Sequence, residues 1–327
     1  MKADSENRRS SPANPLFRID PQGNLGNQML QYMAALTIAS HVPGLMVCGH
    51  DLPVWGLSTP VPPDYPPDAI QVGGRYLPAH QIARYMRRGA LRALTVGVVS
   101  LRLEHLVPLD IGREVFRPPI GLAVDGYGPD CVVINIRAGE VLGDVHPDYG
   151  PIPLSFMSQV IESSQLHPVF IGQLGDDPYS LAIRRRYPNA TFRPSQGALI
   201  DFEIIRRSSE IAIAVSTFSW LAAWLSSAHR IHMPVSGFYN PRQRPGIDLL
   251  AVDDDRYRFY DCEVAEWRAT TADFDSLLAH REHAILTAAQ IQARREQAKR
   301  RTAWSDLCRQ AEFAWQCRQR WAHDRIR

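Results

Sequence analysis

One arginine directly follows a predicted buried strand. The run Cys131–Ile136 is almost continuously apolar and of strand length, as expected for a strand covered on both faces of its sheet. Arg137 comes next, and Glu140 follows three residues later, after a glycine. Ligands of open parallel sheets bind at the carboxyl ends of the strands, where a guanidinium can grip a diphosphate with paired hydrogen bonds. The alternative interpretation is an ordinary ion pair between Arg137 and Glu140.

A glycine-containing turn near the N-terminus leads into a predicted helix. The segment GNLGNQMLQY occupies residues 23–32, and apolar residues at helical spacing predict a helix over 27–41. Its two glycines permit positive φ and close backbone approach, and free N–H groups at a helix start bind anions. The G-x-x-G spacing alone is weak, because it lacks the patterns of dinucleotide folds and P-loops. Asn27 and Gln28 are either ligand-facing residues or simple helix caps.

A second turn of the same kind lies further along the chain. The apolar run Ile211–Val215 predicts another buried strand, and the residues STFS at 216–219 lead from it into a helix. Hydroxyls and backbone amides at such a turn can form a phosphate cradle, although they can also serve as N-caps only. Trp220 and Trp224 follow four residues apart, and we interpret them as core residues.

The N-terminal part of the chain must position the first turn. We expect residues 1–15 to be disordered, because they are small, polar and charged. A short strand at Leu16–Ile19 precedes the glycine turn. Six prolines predict a loop over 51–70, and 78–107 is predicted to be helical and basic. Proline and glycine cluster over 117–129, which we take as the domain boundary.

Beyond that boundary the pattern alternates between strand and helix, which predicts a parallel sheet covered by helices. The remaining predicted strands are Val169–Gly172 and 191–192. The predicted helices are Leu154–Ser163, 177–187, Ile200–Ser208 and Thr217–Ala228.

Composition bounds the class of protein. The 327 residues are 45% hydrophobic and 21% charged with a net charge of +2, which are ordinary globular values. The five cysteines are odd in number and lack CxxC spacing, so neither a disulfide framework nor a zinc site is indicated. The N-terminus has no apolar signal region, and no stretch approaches the ~18 apolar residues of a membrane span. We expect a cytoplasmic protein, with attachment to the inner face of the membrane left open.

The C-terminal segment differs in composition from the rest. From about residue 272 glycine and proline vanish, which suits one or two helices, and 281–327 carries eleven Lys/Arg against five Asp/Glu. The simplest interpretation is a solvated helical appendage that packs Trp304, Trp315 and Trp321 on the body. Contact with an anionic membrane surface or with an oligomer partner is the alternative.

Read in order, the three chemistry-bearing segments resemble the α-1,2-fucosyltransferases of glycosyltransferase family 11. That family has a G-x-L-G-N-Q-M-x-Q-Y segment, an H-x-R-x-G-D type strand end and an S-T-F-S-W-W-A-A-W type segment. The first and third match almost letter for letter, and the resemblance covers roughly residues 16–230. The middle segment departs from the pattern: Asn135 replaces the usual His, Ala138 a common second Arg, and Glu140 the typical Asp. Arg137 is retained.

The resemblance implies a GT-B-like α/β architecture, with two Rossmann-type domains facing a cleft and a C-terminal helical tail. It divides the chain into an acceptor-side domain at 16–120, a GDP-sugar-binding domain at 121–271 and a basic tail at 272–327. It implies metal-independent, inverting transfer of L-fucose from GDP-fucose to a hydroxyl of an acceptor glycan, with α-1,2 linkage. The partners implied are the GDP-sugar and an acceptor oligosaccharide or lipid-linked glycan, without nucleic acid or cofactor.

The resemblance also implies roles for individual residues. Asp201 would hydrogen-bond to the edge of the guanine base, Asn135 would approach the nucleoside, and Thr217 and Ser219 would bind phosphate. Arg137 would hold the β-phosphate. The full set of expected donor-binding residues is Gly23, Asn24, Gly26, Asn27, Gln28, Asn135, Arg137, Asp201, Ser216, Thr217, Phe218 and Ser219.

The catalytic base is open at the level of sequence. Glu140, Asp144 and His146 all follow Arg137 in one loop, and any of them could accept the acceptor's proton. Glu140 could instead only orient Arg137. The acidic triplet at 253–255 resembles a metal motif, but it follows the donor segment and adjoins two arginines, so we expect no metal there.

Two other classes of protein compete with the enzyme. The departures at Asn135 and Ala138 suit a GDP-sugar-binding protein that has lost catalysis. The basic, tryptophan-containing tail suits a scaffolding subunit of a polysaccharide assembly complex, which would bind no nucleotide.

Overall fold

The computed structural model describes residues 14–324, so most of the segment predicted to be disordered, residues 1–13, lies outside the described residues. The N-terminal half is built on a parallel sheet of four strands in the order β2-β1-β6-β5. Its elements are β1 (Leu16–Ile19), α1 (Leu25–Ala39), β2 (Met46–Cys48), β3 (His50–Leu52), β4 (Leu57–Thr59), β5 (Ile70–Val72), α2 (Ala79–Arg87), β6 (Ala93–Val96) and α3 (Leu109–Val115).

Two sequence predictions in this half are wrong. The proline-rich stretch 51–70 is not all loop, because β3 and β4 form an antiparallel hairpin that turns back at Gly56, which has φ +67°. The stretch 78–107 is α-helical only over α2, and a single 3-10 turn follows at Leu103–His105. The helix ends at Arg87, and Gly89, two residues later, takes the left-handed conformation, with a φ of +66°, that commonly follows a helix end. The next apolar run is fully buried as β6, where pairing with β1 outweighs local helical preference.

The second half holds a larger sheet, and its strands alternate with helices as predicted. Seven strands lie in the order β13-β12-β11-β10-β7-β8-β9, all parallel except the edge strand β13. The elements are β7 (Cys131–Ile136), α4 (Leu154–Ser164), β8 (His167–Gly172), α5 (Pro178–Arg186), β9 (Thr191–Pro194), α6 (Ala198–Arg206), β10 (Glu210–Ala212), α7 (Thr217–Trp224), β11 (Arg230–Val235), β12 (Tyr257–Asp261), α8 (Thr271–Leu278), β13 (Ile285–Leu286) and α9 (Ala288–Asp324).

The two halves share a core. The main apolar cluster surrounds the large sheet and continues into α1 through Met29 and Met33, while a smaller cluster lies under the N-terminal sheet. Trp220 and Trp224 are buried and stacked on each other, which confirms them as core residues. The predicted fold class, two parallel α/β sheets on either side of a cleft with a helical C-terminal segment, is confirmed.

The long helix α9 spans both halves. Near its start Arg294 and Arg295 pair with Asp261 and Asp248 of the second half. Near its end, Phe313 and Cys317 of one helix face enter the N-terminal core. None of the helices within residues 14–324 is both long and apolar enough to cross a membrane.

The prediction that the tail packs its tryptophans on the body is wrong. Trp304, Trp315 and Trp321 are all exposed. Trp304 and Trp315 lie on the side of α9 opposite its packing face, which is formed by residues at helical spacing. These are Ile291, Ala298, Phe313 and Cys317, all of them buried.

The Asp261–Arg294 pair makes the attachment of α9 sensitive to acid. Arg294 donates to both carboxylate oxygens, at 2.7 and 2.5 Å, and these bonds lower the pKa of Asp261 more than burial raises it. A carboxyl with a depressed folded-state pKa contributes stability above its unfolded pKa and loses it as pH falls through the folded value. We expect lowering the pH from about 5 to about 3 to destabilise the wild type more than Asp261→Asn, measured by chemical unfolding. Equal acid sensitivity would contradict this role.

Candidate active site

A cavity of about 720 Å³ opens at the carboxyl ends of the large sheet's central strands, facing the start of α1. Its walls come from both halves of the chain. Most of the expected donor-binding residues line it, and they are Gly23, Asn24, Gly26, Asn27, Gln28, Asn135, Arg137, Asp201, Ser216, Thr217 and Phe218. The structure therefore brings together the three segments identified in the sequence.

Arg137 lies at the end of β7, between the neighbouring strands β10 and β8. Its guanidinium donates to Glu140 Oε1 at 3.2 Å and to the carbonyl oxygen of Val215 at 3.4 Å. It also lies over the ring of Tyr149, 5.6 Å from the centroid. About a quarter of the side chain remains exposed, so the cation is held in place and still accessible from the cavity.

Glu140 is held as an ionised carboxylate. Its second oxygen accepts a hydrogen bond from Gln173 Nε2 at 3.0 Å. Burial raises the pKa of Glu140, but hydrogen bonds from its own backbone, Gln173 and Arg137 outweigh burial and bring the pKa below its ordinary value. A carboxylate with a lowered pKa is a weak base. The geometry therefore favours orientation of Arg137 over proton abstraction.

The N-termini of α1 and α7 meet at the cavity. A Cβ on Gly26 would lie 2.6 Å from the backbone nitrogen of Phe218 and 2.8 Å from Thr217 Oγ1, so only glycine fits there. Thr217 Oγ1 donates to Asn27 Oδ1 at 2.9 Å across the two halves. The first N–H groups of a helix have no intrahelical acceptor, and the helix dipole adds partial positive charge at that end. Two such ends and Arg137 therefore place N–H donors and positive charge on one side of the cavity.

The turn before α1 is fixed by its own side chains. Gly23 has φ +66°, and a Cβ there would lie 2.4 Å from Asn27 Nδ2. Gln28 Nε2 donates to the carbonyl oxygen of Gly23 at 2.9 Å. The buried Gln31 accepts from the backbone N–H of Gln22 and donates to the carbonyl oxygen of residue 20. Gln31 was not singled out in the sequence, although it belongs to the matching segment.

In the turn before α7, Ser219 does not make the phosphate contact expected of it. Ser219 is fully buried, and its Oγ bonds the backbone N–H of Ala214 at 3.0 Å, so it does not reach the cavity. The buried hydroxyl of Tyr239 donates to the carbonyl oxygen of Ser216 and accepts from its N–H. Ser216 and Thr217 are thereby left as the hydroxyl groups of this turn that line the cavity.

Asn135 and Asp201 line the side of the cavity nearest β8 and α6. Asn135 Nδ2 donates to the carbonyl oxygen of Ile171 at 3.3 Å. Asp201 accepts from the Ser195 hydroxyl and from the backbone N–H of Gln196, so its carboxylate holds the 195–197 loop. Its expected contact with a guanine edge would have to share these oxygens, each of which has a second lone pair.

The other two candidate bases lie away from the cavity wall. Asp144 is exposed and does not line the cavity. His146 Nδ1 accepts from the backbone N–H of Asp148 at 3.1 Å, and the ring packs against Tyr149. Burial, followed by the charges of Arg244 and Arg75, lowers the pKa of His146, which favours the neutral imidazole. Neither Asp144 nor His146 contacts Arg137 directly.

The acidic triplet at 253–255 has a structural partner. Asp254 forms a bidentate ion pair with Arg256, which donates onward to the carbonyl oxygens of Trp224 and Ser226 at the end of α7. Within residues 14–324 no group of three or more His, Cys, Asp or Glu side chains has a metal-binding arrangement.

Several wall residues were missed in the sequence. They are Leu25, Ile136, Tyr149, Gly172, Gln173, Ser195, Ala198 and Phe238. Gln173 had a usable signal, because it directly follows a predicted buried strand, as Arg137 does. Tyr149 and Phe238 had none, since they come from irregular segments far apart in the chain.

The hydrogen bond between the halves can be tested directly. Thr217→Val keeps the shape of the side chain but leaves Asn27 Oδ1 without its partner. We expect the free energy of unfolding to fall by about 1 kcal/mol, measured in urea. The double variant with Asn27→Ala should lose less than the sum of the two single changes. Strict additivity would show that the bond contributes nothing.

No protein-family model and no curated protein matches the chain. Among solved structures it is similar to a variant of FUT1 of Arabidopsis thaliana in complex with GDP, at 15% identity and a TM-score of 0.48, over 69% of this chain and 71% of that one. It is also similar to TibC, an iron-containing dodecameric glycosyltransferase of enterotoxigenic E. coli, at 14% identity and a TM-score of 0.41, over 90% and 78%. A third is AviGT4, a glycosyltransferase of avilamycin A biosynthesis, at 13% and 0.32, over 95% and 98%.

Proposed function

We propose that the chain is a metal-independent, inverting glycosyltransferase that moves L-fucose from GDP-fucose to a hydroxyl of an acceptor glycan in α-1,2 linkage. One observation carries the proposal. The two segments that match the fucosyltransferase pattern, at 23–32 and 216–224, pack helix start against helix start, and the retained Arg137 lies at the same cavity. Their contact explains why both segments occur together in one sequence.

The chemistry follows from the charge that builds on the leaving group. The acceptor oxygen bonds to the sugar carbon as the bond between the sugar and the diphosphate breaks, GDP leaves, and the hydroxyl proton passes to the surrounding water. During this step negative charge grows on the β-phosphate. Fixed positive groups aimed at that position lower the barrier without reorganising. Arg137 supplies a full charge, and the starts of α1 and α7 supply N–H donors and the positive ends of two helix dipoles. Together they take the part that a bound metal plays in other glycosyltransferases.

Glu140 contributes by holding Arg137. Its two oxygens bind Arg137 and Gln173, so the guanidinium keeps one orientation while the donor enters and leaves. The alternative, a GDP-sugar-binding protein without catalysis, is supported by the hydrogen bonds of the cavity's carboxylates. Among the cavity-lining residues of 14–324, the carboxylates are Glu140 and Asp201, and both are engaged in hydrogen bonds. A protein that binds a GDP-sugar without transferring it would have such a site.

The two candidates are separated by measuring GDP release. The purified chain is incubated with GDP-fucose and EDTA, with and without a mixture of galactose-terminated oligosaccharides. A fucosyltransferase releases GDP faster with an acceptor present, and the product gains one deoxyhexose in mass. A binding protein retains GDP-fucose unchanged. Release that requires a divalent metal would exclude the proposed mechanism.

A further inference from the structure

One face of α9 combines tryptophan with arginine and is directed away from the body. Trp304, Leu307 and Trp315 are 75%, 54% and 61% exposed. With the exposed Cys308 and Ala311 they form a continuous stripe at helical spacing, which we name the tryptophan face. It lies opposite the residues that pack on the N-terminal core, so it takes no part in holding the helix in place.

The charges nearest the centre of this face are positive. Counting about 100° per residue from Trp304, Arg300 and Arg318 fall within about 40° of the centre. Arg301 lies about 60° from the centre and donates to the carbonyl oxygen of Arg242, so it is turned toward the body. The nearest carboxylates, Glu296 and Glu312, fall about 80° to either side. Among the described side chains of α9, the tryptophan face therefore presents cations and apolar groups without an acidic residue.

We propose that the tryptophan face docks on an anionic lipid bilayer, with α9 lying in the plane of the headgroups. Tryptophan is enriched at the membrane–water interface because its ring is apolar and its N–H is polar. Arginine covers apolar surface with its stem and keeps its charge among the phosphates. A helix with an apolar face and a basic rim binds such surfaces without spanning them.

A second copy of the chain fits this face less well. Pairing two tryptophan faces would bring Arg300 and Arg318 of one copy near those of the other, and no carboxylate on the face would compensate. Like charges held at an interface oppose association. An anionic bilayer instead matches both the arginines and the tryptophans.

Docking by this face is compatible with the structure as it is. The opposite side of α9 keeps Phe313 in the N-terminal core, and Asp306 keeps its ion pair with Arg102 at 3.0 Å. The inference does not depend on the proposed enzyme activity. If both hold, the chain meets its acceptors at a lipid surface, where lipid-linked glycans are found.

The test is co-sedimentation of the full chain with vesicles of phosphatidylcholine, alone or with added phosphatidylglycerol. We expect binding only to the anionic vesicles, and weaker binding as salt is raised. Arg300→Gln with Arg318→Gln should lower the partition coefficient by about fivefold for each arginine. The matched control, Arg88→Gln with Arg185→Gln, removes the same charge from exposed positions elsewhere and should bind like the wild type.

The apolar part is tested by Trp304→Ala with Trp315→Ala. We expect this variant to lose most vesicle binding while keeping the wild-type circular dichroism and unfolding midpoint, because both side chains are exposed. Unchanged binding of the variant, or no binding of the wild type to anionic vesicles, would overturn the proposal. A dimer in light scattering that this variant dissociates would assign the face to a second copy instead.

Discussion

Replacing Arg137 by alanine is expected to lower turnover on the order of 10²-fold or more while leaving the fold intact. The guanidinium is the full positive charge that the cavity places beside the two helix starts, so its loss removes stabilisation where leaving-group charge develops. The fold should survive because the side chain is partly exposed and its bonds are to Glu140 and one carbonyl oxygen. Turnover is measured as GDP release from GDP-fucose.

Two variants sharpen this result. Arg137→Lys keeps the charge but loses the fork that donates to Glu140 and Val215 together, so it should recover part of the activity only. Arg185→Ala removes an exposed arginine that donates to a carbonyl oxygen of its own helix, α5, and it should leave turnover near the wild-type value. Near-wild-type turnover of Arg137→Ala would refute the proposed role.

Gly26→Ala should separate the starts of α1 and α7. The new Cβ would lie 2.6 Å from the nitrogen and 2.9 Å from the Cα of Phe218, which are backbone atoms that cannot turn aside. We expect the free energy of unfolding to fall by about 1–3 kcal/mol, and GDP affinity to fall at least about tenfold, since both helix starts line the site. Urea unfolding and calorimetry measure the two effects.

The sign of this effect is diagnostic. Within a helix, alanine is ordinarily more stable than glycine by roughly 0.5–1 kcal/mol, so a helix free of tertiary contact would be stabilised by the change. Gly128→Ala is a suitable control, because a Cβ there meets no atom within 4 Å. If Gly26→Ala were as harmless as the control, the packing between the two helix starts would not be what the site depends on.

The α/β half of the fold was predictable, and the reason is burial. Strands such as β7 and β8 are covered on both faces and therefore read as apolar runs. The N-terminal half was harder, because its strands are three or four residues long and half-exposed at the sheet edges. The prolines at 51–70 do not exclude a hairpin, because Pro53 lies in its turn and the other five follow its second strand, all outside the paired residues.

The wall of the site was predictable where strand ends and helix starts determine it, and not elsewhere. Arg137, Asn27 and Thr217 follow from the rule that parallel strands deliver ligand-binding groups at their carboxyl ends. The burial of the Ser219 side chain could not be predicted from this rule. Its hydroxyl bonds a backbone N–H that only the folded turn places beside it. Likewise, composition predicted a helix for the C-terminal segment, but which side of that helix packs depends on the body beneath it.

Calorimetric titration with EDTA present shows whether the cavity binds a guanine-nucleotide sugar without metal. GDP, GDP-fucose, UDP and TDP are each titrated into the wild type and into Arg137→Ala. The proposed function predicts binding of GDP and GDP-fucose in preference to UDP and TDP, and weaker binding by the variant. Binding of no nucleotide, or selective binding of UDP or TDP, would contradict it.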